Sequence, residues 1–484
     1  MVFSSALFLF LFLPVVLTLV LLARRIESRN ALLLMFSLIF YAWGEPIFIL
    51  LALASTLMNY FLGLWVDHSN DPERRKFVVV LSVVLNVGIL TFFKYANFAF
   101  ENLNAVLAIL HFSSVPLPNV LLPIGISFFT FHALSYVIDV YRRKWKAAKN
   151  PADVALYIFF FPQMIAGPIL RWSAIAPQLV KRVITLAGFV EGIRRFVGGL
   201  AKKMIVANVV AIPVREIFDL SSNELTTPVA WFGVLCYTIQ IYFDFSGYSD
   251  MAVGLGKMFG FEFIENFNFP YISQSIKEFW RRWHISLSTW FRDYLYIPLG
   301  GNRCSMMRNY FNLILVFFLC GLWHGATWPF VIWGLYHGLF LLLEKTRFGI
   351  LVDKMPRPFR HVYAVLVIIC GWVLFRSETL SQAITFFNAM SGLNHAVAVP
   401  QPLSRYVTSQ VLSSIGIGII LSVPLWPWVR ELYGNMVKAT PEPFQAPALF
   451  AGLLLESLLN TALLLISLAW LAGGTYNPFI YYRF

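Results

Sequence analysis

The sequence predicts an all-α, polytopic membrane protein, and three observations predict it. The chain is 59% hydrophobic and 17% aromatic with only 13% charged residues, far too apolar for a soluble domain of ordinary composition. Apolar windows approaching the roughly 20 residues that a helix needs to cross about 30 Å of hydrocarbon recur along its whole length. Basic residues gather in the short polar stretches between those windows, as they do in loops kept on the cytoplasmic side.

The predicted spans lie at 7–22, 31–43, 47–65, 77–93, 121–140, 231–245, 311–323, 330–343, 362–375, 411–425 and 449–471. Several are short or interrupted by Gly and Pro. Irregular backbone at membrane depth must be surrounded by protein or water, so these read as tilted or re-entrant pieces lining a cavity. The first window has no basic residues ahead of it, has Arg24 and Arg25 behind it, and lacks a small-residue cleavage site. It therefore reads as an uncleaved span and not as a secretory signal.

Arg24, Arg25 and Arg29 follow the first span, Arg74, Arg75 and Lys76 the third, and Arg142, Arg143, Lys144, Lys146 and Lys149 the fifth. Alternate crossing puts all three clusters on one side, which predicts a cytoplasmic location for them and an N-terminus outside. Lys181, Arg182, Arg194, Arg195, Lys202 and Lys203 then fall on the wrong side if another full crossing precedes them. A half-span at 156–168, entering and leaving on the cytoplasmic face, restores the pattern and accounts for Pro162, Gly167 and Pro168.

The net charge of +13 is distributed over such loops. Topology and attraction to anionic membrane lipids account for it, and it implies no nucleic acid. Cys236, Cys304, Cys320 and Cys370 have neither metal-ligand spacing nor a disulfide framework. The polar stretch 438–445 reads as a loop before the last span. With no long soluble domain, repeat or low-complexity tract, residues 1–484 read as a single membrane domain, and any chemistry is built inside it.

Within 242–337 the composition changes to a dense mixture of aromatic, ionisable and amide side chains, and this is the predicted core of the site. Asp244 and Asp250 flank a Ser-Gly-Tyr break at the end of an apolar span. Carboxylates at that depth usually pair with an internal cation or cap a helix, so these two, with Asn266, are structural support candidates. Between 278 and 296, Trp280, Trp283, Leu287, Trp290, Phe291 and Tyr294 recur at near-helical spacing with Arg281, Arg282 and Arg292 among them. That pattern suits an interfacial amphipathic helix whose aromatics form a belt at the membrane boundary. It equally suits a donor site in which Arg281 and Arg282, beside Trp280 and Trp283, hold an anion, because guanidinium matches phosphate geometry.

His284, on the same predicted helix, is by itself a polar anchor. His324, in GLWHGATW, follows a long apolar run and is bracketed by Gly321 and Gly325, which admit a close backbone or ligand. The two histidines are separated by one helix-loop-helix unit turned at YIPLGGNR, so both can converge on one cavity. His337 would point elsewhere on a continuous helix and reads as structural; His132 reads as a packing or hydrogen-bonding residue. Cys320 lies four residues before His324 on the same helical face, where a Cys-His pair can form an acyl-enzyme but a small buried residue is the commoner role.

The strings YFDFSGYSDMAVGLG, ENFNFPYISQSIKEFWRRWHISLSTWFRDYLYIPLGGNR and GLWHGATWPFVIWGLYHG resemble the membrane-bound O-acyltransferases, in particular their bacterial alginate-acetylating branch. The likeness extends to MVFSS, FKYANF, LPIGISFFTFHALSYVIDVYR, FPQMIAGPILR and YNPFIYYRF and so spans nearly the whole chain. It implies that family's fold, about eleven transmembrane helices plus re-entrant and interfacial helices around a thin centre. It also implies a central tunnel from a cytoplasmic donor pocket to an extracytoplasmic opening. On this resemblance His324 is the catalytic histidine and His284 the second histidine of the site, while Cys320 stands where many relatives have glycine. It further implies acetyl-CoA as co-substrate with no tightly bound cofactor, a bacterial inner-membrane location, and periplasmic or membrane-anchored acetyltransferase partner proteins. A polysaccharide acceptor is then reached indirectly, and alginate, cellulose and other envelope glycans all remain open.

Acetyl transfer from a thioester to a hydroxyl needs a base near neutral pH and stabilisation of a tetrahedral oxyanion. His324 suits the base, His284 a group that orients the donor or polarises its carbonyl, and Arg281 and Arg282 the coenzyme A phosphates. Two other classes stay open on the residues alone. One is a transporter with a midplane His/Asp site, against which no inverted repeat is found; the other is a scaffold for a secretion complex.

Overall fold

A computed structural model describes residues 1–393 and 399–474 of the chain. The closing string YNPFIYYRF lies outside the described residues. Among those described, all regular structure is helical.

A π-helical turn at Phe8–Phe12 leads into α1 (Leu13–Leu22), followed by α2 (Ile26–Gly44), α3 (Phe48–His68), α4 (Pro72–Ile109) and α5 (Ile126–Tyr141). Asp71 caps α4 through the Glu73 amide at 3.0 Å, with Pro72 pre-set at the first helical position. With that start, α4 runs 38 residues, far beyond the predicted window at 77–93. Buried Asn59 and Asn86 exchange amide hydrogen bonds of 3.0 and 2.8 Å between α3 and α4, polar contacts that fix helix register where apolar surface alone cannot.

Helices α6 (Pro151–Phe159), α7 (Phe161–Met164) and α8 (Trp172–Val180) form a short buried hairpin. Nine residues of α6 reach only about 14 Å. The chain then doubles back, with Trp172 Nε1 donating to the Lys146 carbonyl at 3.1 Å and Tyr157 Oη to Leu170 at 2.8 Å.

Next the structure departs from expectation. Helix α9 (Leu186–Ala201), a π-helical turn at Lys202–Ala207 and α10 (Asn208–Phe218) join into one element of 33 residues, long and apolar enough to cross a membrane. Arg194, Arg195, Lys202 and Lys203 mark this stretch as loop in the sequence, yet their charges are matched internally. Helix α11 (Thr227–Met258) packs along it and is also unbroken at Ser-Gly-Tyr. Gly247 there serves close approach, not a break: a Cβ on it would run into the Gly199 carbonyl of α9.

Beyond a 3₁₀ turn at Pro270–Ile272, α12 (Ile276–Arg282) and α13 (Ile285–Phe291) are separate helices, the second continued by a π-helical turn at Arg292–Tyr296. The single amphipathic helix expected over 278–296 is therefore split at His284. Its aromatic belt is overturned as well, because Trp280, Trp283, Leu287, Trp290, Phe291 and Tyr294 are all buried in protein. Helices α14 (Met306–His324) and α15 (Trp328–Leu343) form a hairpin, so the continuous helix that would carry His337 away from His324 does not exist. Then come α16 (Arg347–Lys354), α17 (Arg357–Arg376), α18 (Leu380–Met390), α19 (Ser409–Leu421), α20 (Leu425–Ala439) and α21 (Glu442–Ala472). The loop expected at 438–445 is mostly helical, its Lys438 ending α20 and its Glu442 beginning α21.

By length and composition six described helices can cross a membrane, or seven if the α19–α20 pair, bent by 57°, is one broken span. Shorter apolar helices cover Phe8–Leu22, Ile126–Tyr141 and Trp328–Leu343. The chain is a multi-pass membrane protein.

Candidate active site

His284 sits at the joint between α12 and α13, held in the left-handed region at φ 43°. A non-glycine residue there costs on the order of 1–3 kcal/mol and persists only where its surroundings insist on it. They do: the 266–268 strip lies alongside, with Ile285 N donating to the Asn266 carbonyl and Asn268 N to the Arg282 carbonyl, each at 2.9 Å. Capping fixes where α12 begins. Ser275 Oγ accepts the Glu278 amide at 3.0 Å, Glu278 reaches back to the Gln274 amide, and the Glu344 carboxylate accepts the Ile276 and Lys277 amides.

The side chain of Asn266 fixes the histidine. Its Oδ1 accepts the Ser286 amide at 3.2 Å, an obligate donor, which identifies that atom as oxygen. The same oxygen lies 3.0 Å from His284 Nδ1, so Nδ1 carries the proton and the neutral ring presents a lone pair at Nε2. His284 Nε2 is buried and has no hydrogen-bond partner among the described residues. A neutral His284 can thus accept a hydrogen bond or a proton, whereas polarising a carbonyl would require the imidazolium.

His324 is the last residue of α14. The α14–α15 hairpin aims it: a Cβ on Gly321 would run into the Phe330 carbonyl, and only glycine lets the backbones meet there. The imidazole lies among Trp323, Trp333 and Phe375, with ring centroids 4.8, 5.0 and 5.1 Å away. Trp323 stands between the two histidines, its centroid 6.2 Å from that of His284. The chamber wall continues through Phe131, stacked on Trp323 at 5.5 Å and on Trp290 at 3.8 Å, and through Phe245 at 4.6 Å from His284.

The structure therefore brings His284 and His324 into one chamber. Trp280 joins it from the far side of Trp333, with centroids 5.6 Å apart, and Trp333 also touches His337 at 5.2 Å. Trp283 faces away and packs against Phe279, Tyr242 and Trp372. Arg281 is exposed, while Arg282 is half-buried and tied to Glu278 at 2.9 Å and to the Asn268 carbonyl at 3.1 Å. Asp244 pairs with Lys203 at 2.5 Å; Asp250 pairs with Lys202 at 2.6 Å and with Arg195 at 2.7 Å. Cys320 is a buried free thiol one turn before His324. His132 is buried against Tyr157 with neither ring nitrogen hydrogen-bonded among the described residues.

Three residues of the site carry no role in the sequence reading. Trp323 and Trp333 pass there for ordinary apolar residues. Lys94, buried in α4, touches the end of α14. Its signal is nonetheless present, since a lysine in the apolar run TFFKYANF is costly unless something receives its charge.

The family model of the membrane-bound O-acyltransferases matches residues 147–380, a stretch that contains both histidines. A probable alginate O-acetylase of Azotobacter vinelandii is 44% identical, with 91% of this chain and 88% of that protein aligned. One of Pseudomonas putida is 43% identical over the full length of both. A peptidoglycan O-acetyltransferase of Helicobacter pylori is 35% identical over 81% of this chain and 80% of its own.

Proposed function

The chain belongs to the membrane-bound O-acyltransferase family, and from that premise we propose that it moves acetyl groups for O-acetylation of an exopolysaccharide such as alginate. The donor in this proposal is acetyl-CoA, taken from the cytoplasmic side of a bacterial inner membrane, with the N-terminus on the periplasmic side. The observation that carries it is the meeting of His284 and His324 on either side of Trp323 in a buried aromatic chamber.

In the proposed reaction His324 accepts the proton of an acceptor hydroxyl as its oxygen attacks the thioester carbonyl. The tetrahedral oxyanion collapses by breaking the carbon–sulfur bond, and the imidazolium returns the proton to the departing thiolate. His284, presenting its Nε2 lone pair, orients the donor by accepting one of its amide N–H groups. Arg281 and Arg282, at the end of the short helix that Trp280 and Trp283 anchor in the protein, receive the donor's phosphates. Desolvation inside the chamber excludes water, which would otherwise hydrolyse the thioester.

Partner proteins outside the membrane complete the transfer to polymer, and the acetyl group reaches them through this chain. The similarity to a peptidoglycan O-acetyltransferase supports a second reading, the same chemistry directed to another envelope glycan. Purified chain in vesicles, given labelled acetyl-CoA on one face and partner proteins with alginate, cellulose or peptidoglycan on the other, tests both. Label should cross and enter one glycan. Label that never leaves acetyl-CoA would remove the proposal, and label in peptidoglycan alone would replace alginate.

A further inference from the structure

The last turn of α14 is capped from another helix. An α-helix leaves its final four carbonyls without intrahelical donors, and in a membrane interior each must be satisfied by protein. In α14 these belong to Gly321, Leu322, Trp323 and His324. The Gly325 amide serves Gly321 at 3.2 Å. Tyr95 Oη donates to Leu322 at 2.6 Å. Lys94 Nζ donates to the Trp323 carbonyl and, at 3.4 Å, to that of His324 itself. The third ammonium proton reaches Ser127 Oγ of α5 at 3.4 Å. Thus two consecutive residues of α4 finish the helix whose last residue is His324.

We propose that Lys94, assisted by Tyr95, is the positioning residue of the acyl-transfer site. It fixes the end of α14 so that the His324 imidazole stays in register with His284 and the reacting atoms. Lys94 is 8% exposed and makes no ion pair with a carboxylate among the described residues, so no counter-ion explains its burial. The negative end of the α14 dipole takes that place. A compact ammonium with three donors suits three acceptors on two helices, which a neutral hydroxyl could not serve. Nζ also stands 5.9 Å from the Trp323 ring centroid, so the same cation holds the tryptophan that separates the histidines. Lys94 touches none of the reacting groups directly; it acts through the backbone of His324.

This inference rests on His324 as the base, and the experiment separates the two. Lys94→Met, Lys94→Arg, Tyr95→Phe and His324→Ala are compared for acetyl transfer from acetyl-CoA in vesicles, beside Asn86→Leu. The last breaks the α3–α4 amide pair without touching α14. Displacement of a catalytic group by an ångström costs on the order of 100-fold in rate. Lys94→Met should accordingly lower kcat by about 10- to 100-fold while the KM for acetyl-CoA moves by less than about 2-fold. Lys94→Arg should recover part of the loss and Tyr95→Phe should cost a few-fold, while Asn86→Leu lowers thermal stability and leaves kcat of the folded protein unchanged. Wild-type kcat in Lys94→Met with His324→Ala inactive overturns the positioning role alone. Activity retained in His324→Ala overturns the base and the inference together. If Lys94→Met does not fold, Tyr95→Phe decides, and an unchanged kcat in it overturns the proposal.

Discussion

Two of the places where polar groups enter the apolar interior are treated in opposite ways. Along the α9–α11 seam four basic side chains lie inside a span, and each meets carboxylate: Lys203 with Asp244, Lys202 with Asp250, Arg195 with Asp250 and Glu265, and Arg194 with Glu456 at 3.0 Å. Around Trp323 and Trp333 the interior holds several imidazole and indole nitrogens that are not matched in this way. His284 Nε2, both nitrogens of His337, and the Nε1 atoms of Trp280, Trp323 and Trp333 are buried without a hydrogen-bond partner among the described residues. Burying a polar atom unpaired costs about 1–3 kcal/mol, so a fold that matches every one of these four charges in one region and leaves several imidazole and indole nitrogens unpaired in the other gives up stability at the second. The seam holds helices together, and the surroundings of Trp323 are where the proposed chemistry is placed.

Breaking the seam should have the largest effect. Asp244→Ala strips the carboxylate from buried Lys203 and should destabilise the folded protein by about 3–5 kcal/mol, seen as lost accumulation in membranes and a lower melting temperature in detergent. Replacing both partners, Asp244→Leu with Lys203→Met, should recover most of that loss. Normal stability in the single variant would erase the distinction between the two regions.

In the chamber the sign reverses: loss of activity without loss of fold. His324→Ala should lower acetyl transfer by about 10²- to 10⁴-fold and leave expression, insertion and melting close to wild type. Near-normal transfer would take His324 out of the chemistry.

A smaller effect is expected at the rim. Changing Arg281 and Arg282 to Ala should raise the apparent KM for acetyl-CoA several-fold and leave the maximal rate largely intact, because remote phosphate contacts bind ground and transition states alike. Steady-state kinetics over a range of donor concentrations reads this directly, and an unchanged KM assigns both arginines to the surface.

The smallest effect is predicted one turn from His324. Cys320→Gly should change turnover by less than about 2-fold, because direct attack by the acceptor needs no thiolate. A hydroxylamine-labile acetyl label trapped on Cys320 in the absence of acceptor would make the transfer a two-step one and give His324 a different proton to take.

Legibility in the sequence followed how local each feature was. The apolar windows located most helices because hydrophobicity is written residue by residue, and the strings around His284 and His324 marked the candidate site because their residue types are rare in such surroundings. The missed span at Leu186–Phe218 shows the limit of that reading. Lys202 and Lys203 look like loop residues until the carboxylates of α11, more than 40 positions away in the chain, are placed beside them. For the same reason Ser-Gly-Tyr resembled a break, and Trp280 to Tyr294 resembled a surface belt.

The sequence by itself determined the solvent, the helical class and the family, and it singled out two histidines as candidates, since each depends on composition or on a contiguous string. Only the tertiary structure decided how those histidines are placed and held. The split of one expected helix at His284, the proton on its Nδ1, the indole between the rings and the lysine at the end of α14 all depend on contacts between distant segments. Charge and hydrogen-bond energies fall with distance in space, which separation along the chain does not record, so a residue that looks misplaced in the sequence acquires its meaning from a partner only the fold supplies.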